Sequence, residues 1–190
     1  NPCGREELAQ MAAMLEGHPD NSNPAIFGSM VVGAQDEKIM RHVRLELPDD
    51  LLFAIMVPDF PVSTEKARGV LPASYSRGDV VYNVSRGALL VASILTGNYE
   101  NLAMAMEDKI HQPYRKTLIP GMEEIFEAAD GFGAAACYLS GAGSTLMAMV
   151  RRDGAEVFQR KMSAYLRTLP NNWELTLLEP DLEGAKVKTE

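Results

Sequence analysis

Apolar residues at Leu8, Met11, Ala12 and Leu15 recur at helical spacing, so residues 4–16 are expected to form an amphipathic helix that Gly17 stops. The polar run His18 to Pro24 reads as a loop, and the apolar stretch 26–33 as a strand. Val43, Leu45 and Leu47 alternate with Arg44 and Glu46, the pattern of a half-exposed strand, and Pro48-Asp49-Asp50 turns the chain. Leu51–Val57 is continuously apolar, as a strand buried on both faces should be. Ser63-Thr64-Glu65-Lys66 opens a short helix with a capping hydroxyl, which Pro72 closes. Val80, Val84, Ala88, Val91 and Leu95 mark one face of a longer helix ending at Gly97, and a further helix is expected from Glu100 to Ile110.

In the last third, Pro120 sits at the first turn of a helix carrying Met122, Ile125, Phe126 and Ala129, with Gly131 just past its end. Ala134–Leu139 and Leu146–Val150 are expected strands joined by a glycine turn. A helix with Phe158, Met162, Tyr165, Leu166 and Leu169 on one face follows, then a strand through Trp173, Leu175 and Leu177. From Leu51 the order is β, helices, β, β, α, β. This is an α+β chain with a ferredoxin-like split βαβ plait and extra helices in its first crossover. Residues 1–47 do not fit the plait and read as the remnant of another, truncated domain, which sets the expected boundaries at 1–47 and 48–190. The chain opens Asn1-Pro2-Cys3 with a helix already under way, so a piece of a longer protein is expected.

Composition narrows the function classes. The 190 residues are 46% hydrophobic and 23% charged, ordinary for a folded chain with one substantial core. Eighteen basic against 26 acidic residues leave a net charge of -8, which opposes binding to a phosphate backbone and argues against nucleic acid. Cys3 and Cys137 lie far apart, without a CxxC, and the three histidines form no HExxH, so neither a disulfide framework nor a zinc centre is indicated. No secretory or membrane-spanning run is evident near the N-terminus, and a cytoplasmic location is expected.

Three constellations could carry chemistry. Glu16-Gly17-His18-Pro19-Asp20-Asn21 gathers two carboxylates, an imidazole and an amide at a helix end, suited to Mg²⁺ or equally to local turns. Ser140-Gly141-Ala142-Gly143-Ser144-Thr145 lets backbone approach a ligand closely, or simply makes a long hairpin turn. Arg68, four residues after Thr64 on one helical face, and Arg115, in a separate loop, suit a carboxylate if they converge and are solvated surface charges if they do not.

Four stretches, in order, carry a resemblance: EGHPDNSNPA from Glu16, VPDFPVSTEKARGVLP from Val57 to Pro72, YRKTLIPG from Tyr114 to Gly121, and LSGAGST from Leu139 to Thr145. Together they resemble the homoserine kinases of the GHMP small-molecule kinase superfamily. The glycine turn alone would be shared by the whole superfamily, and the other segments narrow it. The resemblance implies ATP-dependent phosphorylation of the L-homoserine hydroxyl to O-phospho-L-homoserine in threonine biosynthesis, with ATP and Mg²⁺ required. It implies that Arg68 and Arg115 clamp the amino-acid carboxylate beside Thr64, and that His18 and Asn21 line the substrate pocket. Glu16 would be the Mg²⁺-side carboxylate. Ser140, Gly141, Ala142 and Gly143 would be the superfamily motif that borders phosphate and substrate. It assigns no catalytic base.

Family members also carry an upstream substrate segment and a Pro-x-x-x-Gly-Leu-Gly-Ser-Ser phosphate loop, which nothing in these residues matches. The expectation is a C-terminal fragment, inactive or nearly so alone. Strand edges left in residues 26–47 favour self-association, as a homodimer. Two alternatives stand: a sister GHMP kinase acting on mevalonate, shikimate or a sugar, and a non-catalytic ferredoxin-like module that binds an amino acid.

Overall fold

The structure, a computed structural model, describes residues 3–36 and 39–186. It divides into two compact units, residues 1–48 with 180–190, and residues 49–179.

The first unit opens with α1 (Arg5–Glu16), whose buried stripe is Ala9 and Ala13 and whose C-cap Gly17 sits at φ 84°. Helix α2 (Ser22–Phe27) forms where the sequence suggests loop and then strand. Pro24 lies in its first turn, where a missing N–H breaks no bond, so the proline that reads as a breaker is an opener. Strand β1 (Met30–Gln35) therefore begins four residues later than expected, and pairs antiparallel with β2 (Met40–Leu45) from Met30↔Leu45 to Gln35↔Met40. Ile26 and Phe27 pack with Ala9 in a small core, and the Phe27 ring stacks on His42 at 4.3 Å.

Residues 180–186 return to this unit. Ser29 N donates to Asp181 O (2.6 Å) and Ala185 N to Ala25 O (2.9 Å), while Arg5 and Arg44 donate to the carbonyls of Glu183, Ala185 and Leu182. The crossing is possible because Gly28 and Gly184 carry no side chain: a Cβ on Gly184 would stand 2.4 Å from Ile26 O.

The second unit is the plait. Its sheet runs β4 (Ala134–Leu139), β5 (Leu146–Arg151), β3 (Leu51–Val57), β6 (Glu174–Leu178), with all neighbours antiparallel. Register puts Leu52, Ala54 and Met56 of β3 opposite Val150, Ala148 and Leu146 of β5, so six apolar side chains share one face. Helices α7 (Met122–Gly131) and α8 (Ala155–Leu166) cover it with Ile125, Ala129, Phe158, Met162 and Leu166, each 1% exposed or less. These stripes are the ones the helical spacing marked. Trp173 closes the same core, edge-on to Phe60 at 6.3 Å.

Between β3 and β4 lie α3 (Thr64–Gly69), α4 (Arg77–Thr96), α5 (Leu102–Ala105) and α6 (Gln112–Arg115). Two expectations change here. The helix expected over 100–110 is a 3₁₀ turn at 99–101 plus the single turn of α5, because the Asp108 carboxylate takes up the amides of Ile110, His111 and Gln112 and stops the helix. On α4 the stripe marked by spacing faces outward: Val80, Val84 and Leu95 are exposed, whereas Ser93 and Ile94 are buried. Helix α7 also starts later than Pro120 suggested, at Met122, with Gly121 before it at φ +85° and Gly131 inside its last turn. Among the described residues no helix is long and apolar enough to cross a membrane.

Candidate functional site

In the first unit, Glu16 ends α1 and is exposed. Gly17 reverses the chain, and His18 Nδ1 meets Asp20 Oδ1 two residues on, both side chains substantially exposed. Asn21 occupies the N-cap position of α2 without a side-chain capping bond, which leaves its amide turned to other uses. Next to it lies a residue that the sequence did not single out. Asn23 is 1% exposed, its Nδ2 donates to Met40 Sδ at 3.0 Å, and its Oδ1 has no partner. An asparagine in a polar run gives no sign of its burial. Among the described residues no three His, Cys, Asp or Glu gather into a metal site, so Glu16 is not part of a protein-built cage.

In the second unit the geometry is tighter. Ser63 Oγ accepts from Lys66 N (3.1 Å) and caps α3, as the sequence suggested. The cap fixes the helix so that Ala67 is fully buried while Thr64 and Arg68, one turn apart, are exposed. Arg115, the last residue of α6, reaches two separate segments. Its Nε donates to Ala67 O (3.3 Å) and its Nη1 to Gly141 O (2.8 Å). The arginine predicted from one segment therefore touches the helix carrying Arg68 and the predicted glycine turn. A guanidinium has five N–H donors in a fixed fork, so two spent on carbonyls orient the plane and leave the others for a ligand.

The glycine turn is held by its own backbone, Ser140 N to Thr145 O and Gly143 N to Ser140 O, both 3.0 Å. Those two amides are not available to an anion. Gly141 and Gly143 take φ +54° and +91°, and a Cβ on Gly143 would come within 2.8 Å of Ile119 Cδ1 and 3.2 Å of Leu139 Cδ1. Close packing against RKTLIPG is why glycine stands at 143. Ser144 Oγ donates to Phe60 O (2.6 Å), tying the turn to VPDFPV, and a cavity of about 400 Å³ lies between these two segments. All three matched segments of this unit thus meet around one turn.

A second cavity of about 300 Å³, over Met106, Met122, Phe126 and Cys137, carries less usable chemistry. Its charges are already paired, Glu107 with Arg86 at 2.8 Å and Lys116 with Glu123 at 2.6 Å. Burial pushes the Cys137 thiol up to about 12, so it stays a thiol. Sequence reasoning also passed over Gln112, whose Oε1 accepts from Leu139 N (2.9 Å) and whose Nε2 donates to Met106 O (3.1 Å). Its place three residues before Arg115 was the available signal.

Comparison with known proteins agrees with these segments. Residues 90–168 match the family model described as GHMP kinases C terminal. The chain is 41% identical over 187 residues to the homoserine kinase of Clostridium kluyveri and 44% identical over 182 residues to that of Clostridium beijerinckii, covering 98% and 96% of this chain. It spans 62% and 61% of the length of those two relatives. The crystal structure of homoserine kinase from Cytophaga hutchinsonii superposes with a TM-score of 0.87 at 25% identity, over 97% of this chain and 60% of that one. A mevalonate kinase from L. major shares the fold at TM-score 0.65 and 16% identity, over 94% of this chain and 59% of that one. On sequence and fold together, this chain belongs to the GHMP kinase family, and the relatives that it matches in sequence are homoserine kinases.

Proposed function

We propose that the chain serves ATP-dependent phosphorylation of L-homoserine, with α3, α6 and the glycine turn forming its substrate-carboxylate side. The observation that carries this reading is Arg115, whose fork is oriented by Ala67 O and Gly141 O beside the helix that bears Thr64 and Arg68. A carboxylate held by an oriented guanidinium gains both direction and charge neutralisation, which is the help that phosphoryl transfer needs most. The relatives' names support homoserine over mevalonate or a sugar as the acceptor.

In this reading Arg68 and Arg115 hold the substrate carboxylate, and Ser140, Gly141, Ala142 and Gly143 border substrate and phosphate. His18 and Asn21 remain candidate pocket residues. ATP is the phosphoryl donor. A Mg²⁺ accompanying it would be held chiefly by phosphate oxygens, since Mg²⁺ takes one or two carboxylates and keeps phosphates or waters for the rest. Glu16 is the candidate carboxylate here. A cytoplasmic location, slow or absent turnover by the 190 residues alone, and pairing of two copies complete the proposal. The support for pairing is the β1–β2 ribbon, with Val32 and Val43 exposed.

Calorimetric titration of the chain with L-homoserine tests the acceptor. Saturable binding is expected, with no binding of the amino alcohol that lacks the carboxylate. Arg115→Ala and Arg68→Ala should each weaken homoserine at least tenfold, about 1.5–3 kcal/mol for a hydrogen bond to a charged group. Equal binding with and without the carboxylate would refute the clamp and leave the amino-acid role without support.

A further inference from the structure

The segment between α5 and α6 is organised by one carboxylate. Asp108 Oδ1 accepts from Asn83 Nδ2 of α4 (2.6 Å) and from Ile110 N (2.9 Å). Its Oδ2 accepts from His111 N (2.8 Å) and from Gln112 N. Asn83 answers with its Oδ1, which accepts from Lys109 N (2.9 Å). Five donors are thereby satisfied by two side chains, and α6 starts where the carboxylate holds its first amide. The group stays ionised. Burial alone would raise its pKa, but the amides of Gln112, Ile110 and His111 and the Asn83 side chain outweigh it and hold the carboxyl below its ordinary value.

The residues just beyond Asp108 reach in three directions. Gln112 Oε1 accepts from Leu139 N, at the end of the edge strand β4 and directly before Ser140. Three residues later, Arg115 grips Gly141 O and Ala67 O. Arg115 N itself bonds His111 O at 3.1 Å, so the backbone that Asp108 fixes is the backbone from which the guanidinium is hung. Tyr75 Oη donates to Ile110 O (2.9 Å) and braces the same stretch.

We propose that Asp108 is a positioning residue: by gathering Asn83 and the amides of 110–112, it sets the angle from which Arg115 meets its ligand and from which Gln112 holds the glycine turn. It touches no ligand. The ligand side of this inference rests on the homoserine reading, whereas the geometry does not. An amide cannot substitute for the carboxylate, because Asn presents one acceptor oxygen and turns its NH₂ toward donors.

The test is Asp108→Asn in the 190-residue chain, read in three ways. Homoserine calorimetry separates affinity from stoichiometry: a misplaced Arg115 raises Kd, whereas partial unfolding lowers only the fraction of sites that bind. The Arg115 Nε–H resonance, identified by its loss in Arg115→Lys, reports the guanidinium directly. Amide exchange at Leu139 reports the grip of Gln112. The expected result is at least a tenfold rise in Kd at unchanged stoichiometry, a moved Arg115 resonance and at least tenfold faster exchange at Leu139. Asn83→Ala, which removes one of the four donors, should move all three in the same direction by less, and replaces Asp108→Asn if that variant does not fold. Unchanged Kd, or a fall in stoichiometry alone, would overturn the proposal. If the unsubstituted chain binds no homoserine, it is the functional reading that fails. An unmoved Arg115 resonance with unchanged exchange at Leu139 would then overturn the positioning role by itself.

Discussion

Gly143→Ala offers a quantitative check on how the glycine turn is built. At φ +91° an alanine carries a backbone penalty of about 1–2 kcal/mol. Its Cβ would also stand 2.8 Å from Ile119 Cδ1 and 3.2 Å from Leu139 Cδ1. Both are flexible ends, but Ile119 is 1% and Leu139 8% exposed, so neither has room to retreat. Overpacking of this kind costs about 1–3 kcal/mol, giving a total of about 2–5 kcal/mol. Gly141→Ala is the internal reference: φ is +54° and no atom lies within 4 Å of its Cβ, so only the backbone part of about 1–2 kcal/mol is expected.

The steric part can be isolated further. Ile119→Val removes the Cδ1 that the new methyl meets, at a cost of about 0.5–1.5 kcal/mol alone. In that background Gly143→Ala should cost roughly what Gly141→Ala costs, so the pair is non-additive in the favourable direction. Trp173 is the single tryptophan and is buried in the core of this unit, so urea unfolding monitored by its fluorescence measures the right transition. Equal losses for the two glycine variants, or additivity with Ile119→Val, would refute the packing argument.

Phe158→Ala, at a fully buried site between α8 and the sheet, should destabilise the plait by about 3–5 kcal/mol in the same urea assay. Burial holds Tyr138 at about 12, and burial together with the Asp50 carboxylate holds Tyr99 there too, so a spectrophotometric titration should find both still protonated past pH 11. Tyr99, Tyr138 and Cys137 all ionise later folded than unfolded, so the folded state holds more protons above neutrality. Stability should be intact below about pH 9, at the unfolded thiol value, and fall as pH rises toward 12, as thermal melts at stepped pH will show. An aromatic disulfide reagent at neutral pH should label the exposed Cys3 quickly and Cys137 only after unfolding.

Where local chemistry is strong, the residues declare the element. Leu51–Val57 is apolar throughout and is the central strand β3, Ser63 caps α3 as its hydroxyl suggests, and Gly17 and Gly97 end their helices in the left-handed region. The plait order from Leu51 onward was legible for the same reason: periods of 2 and 3.6 are imposed by backbone geometry before any tertiary contact forms. The matched segments were legible one by one, since spacing and residue type are properties of the chain alone.

Tertiary structure decided what those properties leave open. Helix α4 carries apolar residues on more than one side, and periodicity cannot say which side is covered; Val84 is exposed and Ile94 buried. Helix α2 forms across a stretch that reads as loop, because a proline has opposite meanings in the first turn and the interior. A carboxylate that captures three downstream amides ended the helix expected to run to Ile110, a competition that no hydrophobic pattern records. Most of all, Arg115, Ala67 and Gly141 lie far apart in sequence and become a site only through hydrogen bonds of 3.3 and 2.8 Å. Residue types state what chemistry is possible, but convergence of side chains from separate elements is a property of packing, and packing is fixed only when the whole core closes.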